Sequence, residues 1–234
     1  MSQQNGFTLI ETAIVLIIVG LLLGGLLRGQ ELITIARVRH LIAQHDGIKA
    51  AYLGFQDRYR ALPGDYGGAA ANIPQCNAVV PCVNGDNNGQ ISTTTATPPA
   101  PNEEYISAWE HLAKAGFVTG SYSYAATPAP TNTPVNPYGT LMQLIYDNAY
   151  QNDASVTGPI RHNLKTGNEI PSNVLAEVDR KTDDGDPTKG AFRFSAFSAS
   201  GNAPAGSGFC FSATAPNRWL RAAQIINCGG ARLF

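Results

Sequence analysis

Residues 7–27 read FTLIETAIVLIIVGLLLGGLL, 21 residues in which Glu11 is the only charge. As a helix rising about 1.5 Å per residue the stretch spans roughly 31 Å, the thickness of a bilayer's hydrocarbon core. A secretory signal peptide fits it poorly. The preceding MSQQNG carries no Lys or Arg, the apolar run is long, and no small-x-small cleavage site follows. A plain membrane anchor leaves Glu11 unexplained, because an acid inside a spanning helix costs about 2–3 kcal/mol or more.

Beyond Leu27 the chain continues without a helix breaker. All 15 prolines lie at or after Pro63, and proline ends a helix because it lacks an N–H and clashes with the preceding turn. Ile35, Val38, Leu41, Ile42, Ile48, Tyr52, Phe55 and Tyr59 recur mostly three or four apart, with one gap of six. That pattern predicts one helix of about 50 residues, its second half amphipathic. Gly20, Gly24, Gly25 and Gly29 interrupt the apolar part. They suit either close helix packing, which small residues permit, or local unwinding on assembly. His40 and His45 are five apart, off the spacing that puts two ligands on one helix face, and are read as exposed or interfacial.

The stretch Gly6-Phe7-Thr8-Leu9-Ile10-Glu11 resembles the processing site of type IV prepilins and of the pseudopilins of type II secretion. The resemblance implies a leader, 1–6, removed by prepilin peptidase between Gly6 and Phe7, and N-methylation at Phe7. It implies that the long helix, 7–60, is kept, with its transmembrane segment at 7–27. Glu11 would then pair with the Phe7 amine of a neighbouring subunit. Breaking one side of such a buried pair costs several kcal/mol, about 3–5, so the pair can set register between subunits. Leaders in this family usually carry a Lys or Arg; this one has none. The implied partners are other pilin subunits in a helical filament, prepilin peptidase, an inner-membrane assembly platform, and membrane lipid before assembly. The implied location is a single pass in the inner membrane, then a periplasmic or extracellular filament.

The fold class expected is α+β: the long helix packed on a globular domain, 61–234, with a small antiparallel sheet. Pro63-Gly64-Asp65 is turn chemistry. EEYISAWEHLAKAGFVTGSY (103–122) reads as a second amphipathic helix with Trp109 as its core anchor and Gly116 near its end. TLMQLIY (140–146), AFRFSAFS (191–198) and GFCFSA (208–213) read as strands, with Phe192, Phe194 and Ala196 on one face of the second. VLAEVDRKTDDGDPTKG (174–190) reads as a short helix and an acidic turn, and 93–102 and 123–137 as exposed loops.

Four cysteines without a C-x-x-C pair or a nearby histidine at zinc spacing point to disulfides in an oxidising compartment. Three pairings are open; Cys76–Cys82 with Cys210–Cys228 is favoured because each closes a local loop. The second would match the disulfide-bounded region of the pilins this chain resembles. Asn84, Asp86 and Asn88 stand at the first positions of a calcium-type loop, but Thr95 stands where its bidentate Glu belongs. Asp183, Asp184 and Asp186 form a second candidate for calcium; no other cofactor is called for. A net charge of −1 offers no field for nucleic acid. Gly-x-Ser-x-Gly, phosphate-loop and His-Glu-x-x-His patterns are absent, so no enzyme is expected. A subunit of a filament is the first reading, and a membrane-anchored adhesin or ligand-binding module the alternative.

Overall fold

The computed structural model describes residues 8–76, 82–92, 103–153, 158–212, 214, 217–221 and 225–234. Helix α1 (Leu9–Tyr59) is one rod of 51 residues, about 77 Å long. The Thr8 hydroxyl caps it by accepting the Glu11 N–H at 3.3 Å. Arg60 ends it by turning left-handed at φ 55°. The helix runs unbroken through Gly20, Gly24, Gly25 and Gly29, and a Cβ at any of them would meet nothing within 4 Å.

The two halves of α1 have opposite surroundings. Residues 9–27 are exposed, and the most apolar window of the helix has a mean hydropathy of 2.5. In the second half Val38, Leu41, His45, Ile48, Tyr52 and Phe55 are buried, stepping by three and four. The gap of six between Ile42 and Ile48 is therefore no gap. His45 fills it at 1% exposure, which corrects the reading of this residue as exposed or interfacial. His40 is exposed as expected.

A short helix α2 (Ala69–Asn72) follows, and then α3 (Glu104–Lys114), which lays Ile106, Trp109 and Leu112 into the core. Strands β1 (Gln143–Asp147) and β2 (Arg161–Lys165) precede α4 (Ser172–Thr182), which packs along α1. Strands β3 (Phe192–Phe194), β4 (Phe211–Ser212), β5 (Arg218–Trp219) and β6 (Gly230–Leu233) complete the domain. The main sheet is antiparallel in the order β1-β2-β6-β3, with Gln143 opposite Lys165, Asn163 opposite Leu233, and Phe192 opposite Arg232. Strands β4 and β5 pair separately, Phe211 opposite Trp219. The architecture is α+β, a long apolar helix carrying a globular domain with a small antiparallel sheet.

Two clusters make most of the core. One joins Ile48, Tyr52 and Phe55 of α1 to Trp109, Leu112, Leu144 and Leu164; the other joins Val38 and Leu41 to Val174, Phe192, Phe194 and Trp219. At Gly230 a side chain would run into the Phe192 ring, so β6 and β3 approach closely only with glycine there.

Several strand readings shift. The 191–198 strand stops at Phe194, and Ala196 is exposed rather than aligned with Phe192 and Phe194, because Ser195 is buried and its N–H turns to the Gly229 carbonyl. The 208–213 strand shortens to Phe211–Ser212, with Gly208 at φ 83° in the turn before it. The 123–137 loop has no regular structure, but its second part is anchored. Asn136 is buried and donates to the Thr140 hydroxyl at 2.6 Å and the Thr166 carbonyl at 2.8 Å. Residues 93–102 lie outside the described residues.

Candidate functional site

The chemistry-bearing surface of the chain is its exposed apolar rod. Leu9, Ile10, Leu16, Leu21, Leu22 and Leu27 are each at least two-thirds exposed, and the glycines between them leave open faces. No cation among the described residues pairs with Glu11, whose carboxylate sits two residues into the helix. An apolar helix that covers nothing of its own domain is stable only in lipid or against other apolar surfaces. Gly6 and Phe7, the expected cleavage and methylation site, lie outside the described residues.

The globular domain holds a polar node where α3 meets the 82–92 loop. The Pro63-Gly64-Asp65 turn follows α1 and docks here. Gly64 sits at φ 88°, and a Cβ on it would clash with the Glu104 carbonyl. Its N–H donates to His111 Nδ1 at 2.9 Å, which leaves Nε2 to donate to the Val83 carbonyl at 2.7 Å. Burial keeps that ring neutral, holding its pKa down at about 4.

Three carboxylates converge beside it: ligand atoms of Asp65, Asp86 and Glu104 lie within 4.8 Å of one another. Asp65 accepts the Asn88 N–H at 2.8 Å and the Gly89 N–H at 3.0 Å. Glu104 accepts the Asp86 N–H at 3.2 Å, the Ser92 N–H at 3.0 Å and the Ser92 hydroxyl at 2.9 Å. Burial, opposed by the Gly89 N–H, raises the Asp65 pKa to about 7, and burial raises that of Glu104 too. The cluster could hold a cation only by sharing oxygens that already accept hydrogen bonds.

This differs from the calcium-type reading of Asn84, Asp86 and Asn88. Only Asp86 of those three joins the cluster. The Asn84 amide oxygen accepts the Ala70 N–H at 2.9 Å, tying the loop to α2, and that of Asn88 accepts the Gln90 N–H at 2.8 Å, closing a local turn. The second acidic candidate is also regrouped. Asp183 and Asp184 come together with Asp179 of α4, while Asp186 turns away to accept the Thr188 N–H at 2.9 Å. Sequence reasoning missed Asp65, Glu104 and Asp179. The available signal was the polar spacing Glu104, Ser107, His111 on one face of α3, all buried.

Cys76 is bonded to Cys82 and Cys210 to Cys228. The second bridge lies in the core beside Phe211 and Trp219. Residues 1–27 match the family model described as the prokaryotic N-terminal methylation motif. No curated protein and no solved structure matches the chain. The match covers the first 27 of 234 residues and overlaps the exposed apolar part of α1; it supports a type IV pilin-like N-terminus.

Proposed function

We propose that the chain is a structural subunit, a minor pilin or pseudopilin, of a type IV pilus or type II secretion-type filament. Prepilin peptidase cuts between Gly6 and Phe7 and methylates Phe7. The subunit waits as a single-pass inner-membrane protein until the assembly platform passes it into a periplasmic or extracellular filament of other pilin subunits.

The observation that carries this reading is the division of α1. Residues 9–27 expose apolar surface with Glu11 as the sole charge, while Val38 to Phe55 are covered by the chain's own domain. The open faces at Gly20, Gly24 and Gly25 suit close approach by another helix. Glu11 supplies the acid for a neighbour's Phe7 amine. Replacing Glu11 by Ala leaves membrane insertion intact and lowers the amount in sheared filaments roughly tenfold or more, the scale of losing one partner of a buried ion pair. Incorporation of the variant at the wild-type level would contradict the register role.

A further inference from the structure

One face of the main sheet brings a lysine, an asparagine and an aspartate into a single network. Side chains alternate along a strand, so Asn163 and Lys165 of β2 share a face. Asp147 of β1, paired with Arg161, shares it with them. Lys165 is paired with Gln143, four residues before Asp147. Its side chain therefore reaches Asp147 only by running back along β2, past Asn163. Both side chains end on the same atom. Asp147 Oδ1 accepts a hydrogen bond from Lys165 Nζ at 2.8 Å and another from Asn163 Nδ2 at 2.9 Å.

The setting is dry. Asn163 and Lys165 are fully buried. Leu233 stands opposite Asn163 and Ala231 opposite Lys165 on β6, and both pack with Tyr150, whose ring centroid is 5.7 Å from the ammonium. Burial pushes the Lys165 pKa down, with the Asp147 charge opposing it. Asn163 Oδ1 has no hydrogen-bond partner among the described residues. Its Nδ2 also donates to the Arg161 carbonyl at 3.0 Å and the Asp147 carbonyl at 3.3 Å, so the amide is held entirely through its nitrogen. An amine freed of water, an amide, and an acid bonded to both nitrogens make up a complete set for amide exchange.

We propose that Lys165 and Asn163 join in an intramolecular isopeptide bond, with Asp147 carrying the proton. The Lys165–Asp147 ion pair is the reactant state, present in the newly folded chain. Asp147 takes a proton from the ammonium, and the freed Nζ attacks Asn163 Cγ. Asp147 then gives that proton to Nδ2 as the Cγ–Nδ2 bond breaks. The attacking nitrogen passes its spare proton to the departing ammonia, which leaves as ammonium, so atoms and charge balance without a further reagent. An ionised carboxylate repels a nucleophile, which makes the neutral amide the electrophile and Asp147 the carrier. The Asp147 side chain is 25% exposed, which gives the ammonium a route to solvent. Its escape and the removal of a buried cation both draw the exchange forward. The product fixes two side chains on β2, the strand between β1 and β6.

The test is mass spectrometry of the full chain in detergent micelles, freshly purified and again after prolonged incubation. The expected mass is lower than that of the sequence by one ammonia, after allowance for the disulfides and any processing, in most molecules. Trypsin then fails to cut after Lys165, and the peptide 162–180 carries the deficit with no backbone fragment separating residues 163 and 165. Lys165→Arg keeps a cation beside Asp147 but lacks the amine, and Asp147→Asn keeps the shape but lacks the proton carrier. Both regain the full mass, with circular dichroism confirming that each is folded. A wild-type peptide that ends at an unmodified Lys165 after incubation overturns the bond. An ammonia deficit confined to Asn84 or Asn88, each followed by glycine, overturns it equally. Loss of water with Lys165 joined to Asp147 overturns the choice of Asn163. A deficit at 163–165 that persists in Asp147→Asn overturns the role of the carrier.

Discussion

The His45 ring lies 6.0 Å from the Phe192 ring, centroid to centroid, and neither imidazole nitrogen has a hydrogen-bond partner. A histidine thus serves as the apolar contact between α1 and β3. Burial, helped by the positive charge of Arg232, lowers its pKa from 6.5 to about 3.

The sign of the consequence follows from proton linkage. Unfolded His45 binds a proton below pH 6.5 and folded His45 does not until about pH 3, so its charging opposes folding as the pH falls through that window. In His45→Leu this opposition is gone. In detergent micelles, the stability difference between the variant and wild type should move toward the variant by about 1.4 kcal/mol per pH unit below 6.5. Parallel stability curves for the two proteins would contradict the neutral, buried state of this ring.

Asp179 titrates in the opposite sense. It accepts the Trp219 indole N–H at 2.7 Å, and burial raises its pKa from 3.8 to about 7. The protonated folded form is favoured, so its stabilising contribution is complete below pH 3.8 and is lost as the pH rises through about 7. Asp179→Asn should therefore gain on wild type between pH 4 and pH 8. In a Trp109→Phe background, fluorescence of Trp219 should show a transition near pH 7 that disappears in Asp179→Asn. A flat wild-type trace would rule this out.

The length of α1 could be read from the missing prolines and the apolar spacing, because both act locally along one element. His45 could not, since nothing in a single sequence separates a core histidine from an exposed one. Strand β2, RHNLK, was missed for a related reason: Asn163 and Lys165 face inward, and the Asn163 amide N–H and the Lys165 ammonium donate to Asp147 across the strand pair. Periodicity sees hydrophobicity and is blind to buried polar networks. The same blindness hid Glu104 and Asp65, whose hydrogen-bond partners lie 12 to 24 residues away in the chain. The rod, by contrast, announces itself because its partners lie outside the molecule and its apolar character needs no internal match.

Lys165 gives a measure of such networks. Its side chain is 1% exposed, and its ammonium donates to Asp147 at 2.8 Å and to the Ala149 carbonyl at 2.8 Å. Lys165→Ala leaves both acceptors facing a void. Urea unfolding should show a loss of about 3 kcal/mol, the low end for breaking a buried pair because Asp147 retains some water. A loss under 1 kcal/mol would show that the pair is already solvated.

The two disulfides should differ in worth by the loops they close. Cys210 and Cys228 are 18 apart and Cys76 and Cys82 only 6. On chain-entropy grounds, double replacement by Ser costs about 3 kcal/mol at the first and about 2 kcal/mol at the second. Loss of the first also opens the core around Phe211 and Trp219. Thermal unfolding of the two double variants orders them; a larger loss at the shorter loop would contradict this account.

The whole reading turns on whether the apolar rod is retained, trimmed and placed in a polymer. Mass spectrometry of the protein recovered from sheared filaments decides this at its N-terminus. The account predicts a terminal peptide that begins at Phe7, carries one added methyl group on the α-amine, and continues through Glu11. A mature protein that retains residues 1–6, or one from which the apolar stretch up to Leu27 has been removed, would contradict it.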